Sequence, residues 1–305
     1  MNKYEKNTLS GILVSRAMRR QINCVSTQTS ISNAINILIK FKVSGLLAVD
    51  SHGRSIGVLS KTDVMGAYYA GLPKESSVED VMSCPPLLCS TDAPLEKALQ
   101  QMCDSGVYRL YVVDASMCNG AGVPEDGAIA VGALAYPDIV GILYKHCFEC
   151  EHSHFRQQKD VADDSVNRQL VADVMTAGVE GVCVDDSLSH VMEQLSMYRF
   201  GAILVRDLVD RPVGVISKTD LVLAYKHGVD PAERAEKVMS QPVKHCLEGD
   251  LLEEAIRKMI FSDVHRLFVK GKNEEIVGVF SLTDAARNRS GSCNACISSR
   301  IKMEV

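Results

Sequence analysis

The chain has 305 residues, 46% of them hydrophobic and 23% charged, with a net charge of −5. This composition predicts a soluble globular protein with room for two domains. The negative charge argues against a general nucleic-acid surface, which needs a basic face. No apolar run approaches the roughly 20 residues of a membrane helix, and the polar start of the chain lacks a signal-peptide core. We therefore expect a cytoplasmic protein that binds neither membrane nor nucleic acid.

Four similar units follow one another along the chain. Each opens with a small or apolar residue before a Met, as at Ala17 and Met18. A short strand comes next, then a helix with an apolar face, two apolar strands and a last helix, which gives the order β-α-β-β-α. We predict units at 10–72, 75–146, 170–229 and 232–289, a linker at 147–169 and a tail at 290–305.

The most informative repeat closes each unit. Residues 57–63 read Gly-Val-Leu-Ser-Lys-Thr-Asp, residues 214–220 read Gly-Val-Ile-Ser-Lys-Thr-Asp, and residues 278–284 read Gly-Val-Phe-Ser-Leu-Thr-Asp. A weaker copy at 132–138 has Ala and Pro at the hydroxyl positions and keeps only its Asp. The copies at 57–63 and 214–220 lie 157 residues apart, as do the opening methionines Met18 and Met175 of the two halves. The sequence therefore indicates that a whole half was duplicated.

This fourfold pattern resembles the cystathionine-β-synthase (CBS) domain family. The opening Val-Met, the glycine before the closing strand and the Ser-x-Thr-Asp ending carry the resemblance. It implies an α/β fold of four CBS repeats in two pseudo-twofold pairs, with the two members of each pair packed sheet to sheet. It also implies a disc-like arrangement in a stand-alone protein, as a monomer or a homodimer.

The Ser-x-Thr-Asp turn has two physical interpretations. It can be a helix N-cap, worth about 1 kcal/mol. It can also hold an anion, because backbone N–H groups and hydroxyls gather at a helix start. The resemblance implies that the Asp binds a ribose and that the Ser or Thr lies near phosphate. The candidate residues are then Ser60, Thr62, Asp63, Ser217, Thr219, Asp220, Ser281, Thr283 and Asp284, whereas the copy ending at Asp138 is doubtful.

Basic residues enter two of the apolar strands. Arg109, His265 and Arg266 match the places where family members direct basic side chains to phosphates, and a guanidinium suits phosphate through its fork of donors. The alternative is a surface ion pair. The equivalent positions in units one and three are assigned to Leu46 and Ala202. We expect the second half, with Asp220 and Asp284, to be the better nucleotide site.

The resemblance implies a regulatory protein, not an enzyme, since no catalytic motif occurs and the repeats occupy the chain. We expect it to bind AMP, ADP or ATP in clefts between paired units and to regulate a separate protein. S-adenosyl ligands, NAD and cyclic dinucleotides remain alternatives in this family. A ligand-free structural scaffold is another.

Two Cys-x-x-Cys pairs stand in the same register. Cys147 and Cys293 each follow the last Asp of their half by nine residues, and Cys150 and Cys296 complete the pairs. Two such pairs can supply four thiolates to zinc or to an iron–sulfur cluster. A redox dithiol, or no role at all, is also compatible with the spacing. A metal- or redox-sensing CBS protein is therefore an alternative function.

Overall fold

The four units fold as β-α-β-β-α modules, which confirms the predicted fold class. The structure is a computed structural model that describes residues 11–119, 122, 124–125, 127–149 and 170–287. The strands are β1 (Cys24–Ser26), β2 (Gly45–Val49), β3 (Ser55–Ser60), β4 (Leu88–Ser90), β5 (Arg109–Val113), β6 (Ala130–Ala135), β7 (Thr176–Ala177), β8 (Gly181–Cys183), β9 (Ala202–Arg206), β10 (Pro212–Ser217), β11 (His245–Leu247), β12 (Arg266–Lys270) and β13 (Ile276–Ser281).

Helices cover and connect these strands. They are α1 (Val14–Ala17), α2 (Ile31–Lys40), α3 (Lys61–Tyr69), α4 (Leu95–Asp104), α5 (Tyr136–Glu149), α6 (Leu188–Met197), α7 (Lys218–His227), α8 (Leu252–Phe261) and α9 (Leu282–Arg287). Short 3-10 helices lie at Val78–Asp80, Ala115–Met117, Val171–Asp173 and Ala235–Lys237. Helix α5 continues three residues into the segment predicted as a linker. Among the described helices, none combines the length and apolar character needed to cross a bilayer.

Each unit has the same small sheet. Its first strand runs parallel to its second, and the second runs antiparallel to the third, as in β1, β2 and β3. A parallel pair needs a long crossover, which α2 supplies, whereas a short turn suffices between antiparallel neighbours. Helix α2 begins at a Ser30 cap and buries Ile31, Ala34, Ile35 and Leu38, as the spacing predicts.

Two shared helical cores join the halves. Helix α3 packs on α7, and one core takes buried side chains from units one and three, including Leu59 and Ile216. Helix α5 packs on α9, and the second core takes side chains from units two and four, including Leu134 and Phe280. A small third cluster, with Leu47 and Tyr111, joins the sheets of units one and two.

The opening segment of each unit lies on the other unit of its own half. Ser83, which precedes β4, exchanges two backbone hydrogen bonds of 2.8 and 2.9 Å with Val58 of unit one. Arg19 does the same with Ala133 of unit two, at 2.9 Å in both directions. In the second half, β7 pairs with β13 and Ser240 pairs with Val215. The sheet of each unit is therefore extended by the opening segment of the other unit in the same half.

A methionine packs against a glycine at each exchange. The pairs are Met82 with Gly57, Met18 with Gly132, Met239 with Gly214 and Met175 with Gly278. A Cβ atom at any of these glycines would come within 2.6 to 2.7 Å of the methionine sulfur. This contact explains why the sequence repeats both the opening Met and the Gly of the closing strand.

We predict that Gly57→Ala destabilises the fold. The added methyl would lie 2.7 Å from Met82 Sδ and 2.9 Å from the Ser83 carbonyl oxygen. Overpacking of this kind lowers the free energy of unfolding by about 1–3 kcal/mol. The control is Gly66→Ala in α3, where no atom lies within 4 Å of the new methyl and Ala favours the helix by about 0.5–1 kcal/mol. Urea denaturation that ranks both variants alike would contradict the prediction.

Candidate functional site

The Ser-x-Thr-Asp turn of unit one caps helix α3. Asp63 Oδ2 accepts hydrogen bonds from the Ser60 backbone N–H and hydroxyl, both at 2.6 Å, and the Asp63 N–H lies 3.3 Å from Ser60 Oγ. This is a capping box, in which the two residues satisfy each other's backbone. The pairs Ser217–Asp220 and Ser281–Asp284 make the same contacts. The N-cap interpretation is therefore confirmed for three copies, and it occupies one carboxylate oxygen in each.

The other carboxylate oxygen distinguishes the copies. Asp63 Oδ1 accepts a hydrogen bond from Ser83 at 3.0 Å, and Asp220 Oδ1 accepts one from Ser240 at 2.9 Å. Both donors belong to exchanged opening segments. Asp284 Oδ1 accepts no hydrogen bond within the described part of the chain. Asp284 therefore has the most free capacity to accept hydrogen bonds from a ligand diol.

The weak copy in unit two is occupied by an arginine. Asp138 Oδ2 accepts from the Ala135 N–H at 2.9 Å, and Asp138 Oδ1 forms an ion pair with Arg19 Nε. Arg19 stands at the place that Ser83 and Ser240 take in the other clefts. The Asp138 side chain is only 8% exposed, so the ion pair covers it. This cleft lacks both hydroxyls and its carboxylate already has a cation.

The two candidate arginines open equivalent strands. Arg109 is the first residue of β5 and faces Ala135, whereas Arg266 is the first residue of β12 and faces Ser281. In the same register unit one has Gly45 and unit three has Ala202. The assignment of Leu46 was therefore wrong by one residue, because it came from matching apolar runs without the strand register.

A small residue makes room for Arg266. The Arg266 guanidinium lies against Gly201, and its Nη1 donates to the Ala202 carbonyl at 3.4 Å, so the side chain reaches from unit four to unit three. Arg109 Nε is buried without a hydrogen-bond acceptor in good geometry among the described residues. Its guanidinium lies beside the buried Tyr111 hydroxyl, whose pKa is raised by burial and lowered in part by the guanidinium. A buried donor without a partner is costly unless a ligand satisfies it.

Two lysines that the sequence analysis did not single out lie beside the arginines. Lys61 Nζ donates to Thr219 Oγ1 at 2.8 Å, and Lys218 Nζ donates to Thr62 Oγ1 at 2.9 Å. Each bond crosses from one half to the other. The sequence signal was available, since Ser-Lys-Thr-Asp occurs identically in units one and three. Units two and four have the buried core residues Tyr136 and Leu282 instead.

We call Lys61, Arg109, Lys218, His265 and Arg266 the cationic centre. Desolvation lowers the pKa of Lys61, and Arg109 lowers it further, while Asp220 opposes them. Desolvation and Arg266 likewise lower the pKa of Lys218, opposed by Asp63. Like charges held together in partly dry surroundings favour an anion among them.

His265 joins the centre through Tyr108. The two rings stack with centroids 5.5 Å apart. His265 is exposed to solvent, yet desolvation by the chain around its ring and, after it, the charges of Lys61 and Arg266 lower its pKa below 6.5. The imidazole is therefore neutral at neutral pH, and an anion bound nearby would favour its protonation.

We predict that His265 makes the fold less stable in acid. Its folded pKa lies below its unfolded value of 6.5, so the unfolded chain binds this proton more readily and the free energy of unfolding falls as pH drops through that window. Urea denaturation between about pH 7 and pH 5 measures the slope, and His265→Gln should make it smaller. Inorganic phosphate should raise the NMR-detected pKa of His265. An unchanged slope in His265→Gln would contradict the assignment.

The cysteine pairs stay a prediction. Cys150, Cys293 and Cys296 lie outside the described residues, as does the side chain of Cys147. Among the residues that the structure does describe, no group of three or more His, Cys, Asp or Glu side chains is placed to hold a metal ion.

Comparison with known proteins identifies the family. The model of the CBS domain matches residues 14–70, 78–120, 171–227 and 235–291. These four matches cover more than half of the chain, which therefore belongs to the CBS domain family.

A solved structure from Methanocaldococcus jannaschii, described as a putative archaeal homolog of g-AMPK, is similar with a TM-score of 0.72. It covers 91% of this chain and 99% of its own, at 17% identity. At that identity the similarity concerns the fold.

Two curated relatives match shorter regions. An uncharacterised protein of Methanopyrus kandleri is 27% identical over 39% of this chain and 60% of its own length. Inosine-5'-monophosphate dehydrogenase of Methanocaldococcus jannaschii is 30% identical over 52% of this chain. The matched region spans only 29% of the dehydrogenase. The chain thus covers less than two thirds of either relative.

Proposed function

We propose that this protein is a ligand-responsive regulator that binds adenine nucleotides, with phosphate at the cationic centre and ribose at a capped aspartate. The cationic centre is the observation that carries the proposal. It gathers basic side chains from all four units, and one of their donors, Arg109 Nε, is buried without a described partner. Phosphate supplies further negative charge and hydrogen-bond acceptors to such a centre.

A nucleotide fits better than a free phosphate because carboxylates stand beside the cations. Asp284 and Arg266 belong to the same unit, and Arg266 faces Ser281 of the Asp284 capping box. Asp284 is also close enough to Arg266 to influence its pKa. A bare anion would be repelled by Asp284. A ribose diol would donate hydrogen bonds to the free oxygen of Asp284 while its phosphate reached the cations.

Regulation follows from where the clefts lie. The centre is built from both halves, so a ligand that binds it favours the packing of the halves that suits it best. We propose that a separate protein senses this packing. A ligand-free scaffold remains the second candidate, since the shared cores hold the units together by themselves.

We expect AMP or ATP to bind in isothermal titration calorimetry, and Asp284→Ala to weaken binding by roughly tenfold or more, the equivalent of a lost hydrogen bond to a charged group. Asp138→Ala is the matched control, because it also removes a cap contact but lies in the cleft that Arg19 occupies. Melting temperatures separate lost binding from lost folding. If neither nucleotide binds below millimolar concentration nor raises the melting temperature, the scaffold is favoured. Equal affinities for the two variants would mean that the ribose does not bind Asp284.

We further expect Gly201→Ala to weaken nucleotide binding by roughly tenfold, the equivalent of one lost charge-assisted hydrogen bond. The new methyl would lie 3.1 Å from Arg266 Cζ and would collide with the guanidinium. Gly45→Ala is the control at the small position of unit one, where the nearest atom is the Leu59 carbonyl oxygen at 3.4 Å. Unchanged affinity in Gly201→Ala would mean that Arg266 does not contact the ligand.

A further inference from the structure

The two lysines of the cationic centre are exchanged between the halves. Lys61 lies in unit one, yet its ammonium bonds the Thr219 hydroxyl of unit three, and Lys218 bonds Thr62 in return. The nearby carboxylate also belongs to the other half, because Asp220 acts on Lys61 and Asp63 acts on Lys218. Each ammonium thus stands at the Ser-x-Thr-Asp turn of the opposite half.

A purely structural role explains this arrangement poorly. The interface of α3 and α7 already has apolar packing and a Tyr68–Tyr225 ring stack with centroids 5.2 Å apart. Tyr68 and Tyr225 also make reciprocal hydrogen bonds to the carbonyls of Val229 and Leu72, at 2.7 and 2.6 Å. Two partly desolvated ammonium groups beside arginines add a desolvation cost to this interface, which Asp220 and Asp63 offset only in part, since the pKa of each lysine stays lowered.

An ammonium has donors to spare at this position. Of its three N–H groups, one is used by the threonine, which leaves two for an acceptor in the same cleft. The threonine bond fixes the direction of a flexible side chain before the ligand arrives, which reduces the entropy lost on binding.

We propose that each lysine binds the phosphate of a nucleotide held by the opposite half. Lys218 of unit three contacts the nucleotide whose ribose binds Asp63 (the Asp63 cleft). Lys61 of unit one contacts the nucleotide whose ribose binds Asp220 (the Asp220 cleft). The inference rests on the proposed nucleotide binding and adds to it which lysine contacts the phosphate in each cleft. Each of these clefts is complete only when the other half is in place. The two clefts are therefore coupled through the lysines that they exchange.

The test uses full-length protein with one of these clefts kept. Asp220→Ala with Asp284→Ala keeps the Asp63 cleft, and Asp63→Ala with Asp284→Ala keeps the Asp220 cleft. Lys61→Met or Lys218→Met is then added to each, and AMP affinity is measured by calorimetry. Lys74→Met is the matched control, because Lys74 also crosses this interface, to the Lys226 carbonyl at 3.0 Å, but is not part of the cationic centre.

The expected result is crossed. With the Asp63 cleft kept, Lys218→Met weakens AMP binding by roughly tenfold, the equivalent of a lost hydrogen bond to a charged group, and Lys61→Met has little effect. With the Asp220 cleft kept, Lys61→Met weakens AMP binding to the same extent and Lys218→Met has little effect. Lys74→Met leaves affinity unchanged in both.

Three outcomes would overturn the inference. Equal losses from both lysines in both proteins would indicate only long-range attraction. A larger effect of each lysine on its own half would reverse the assignment. Wild-type binding with no binding in either single-cleft protein would confine AMP to the Asp284 cleft. If the wild type itself binds no nucleotide, the proposed function fails first, and the two failures are thereby distinguished.

Discussion

The structure depends on the exchange of opening segments within each half. Because each segment pairs with the closing strand of the neighbouring unit, the same strand carries an exchanged backbone partner and the aspartate that follows it. The methionine fixes this segment only where a glycine leaves room for its sulfur. One contact thus links the packing to the helix-capping aspartates, and in three of the four exchanges the residue after the methionine contacts the aspartate of the neighbouring unit. That residue is Ser83 or Ser240 in two clefts and Arg19 in a third.

A second constraint is complementarity of size at the middle of the molecule. In units two and four, the last residue before the second strand and the first residue of that strand are both large. They are Tyr108 and Arg109 in unit two, and His265 and Arg266 in unit four. Units one and three have small residues there, such as Gly201, against which Arg266 lies. The lysines come instead from units one and three. Basic side chains from all four units therefore lie close enough to influence one another's pKa.

Much of the fold could be predicted from the sequence, because helix periodicity, the opening Met and the closing Gly are local signals repeated four times. The identity of the N-cap pairs followed for the same reason. The exchange of segments, the facing of Gly45 by Ser60, and the crossing of Lys61 to Thr219 could not be predicted. They depend on which units pack together, and a repeat pattern does not record the partner of each copy.

The unequal surroundings of the four aspartates have a further consequence. Within the described part of the chain, Asp284 has one carboxylate oxygen without a hydrogen bond, Asp63 and Asp220 share theirs with serines, and Asp138 is paired with Arg19. If nucleotides bind at these aspartates as we propose, the sites would fill in sequence as ligand concentration rises, because their capacities to accept hydrogen bonds differ. The protein would respond over a wide concentration range, with each stage of filling presenting a different surface charge, in place of a single on–off transition.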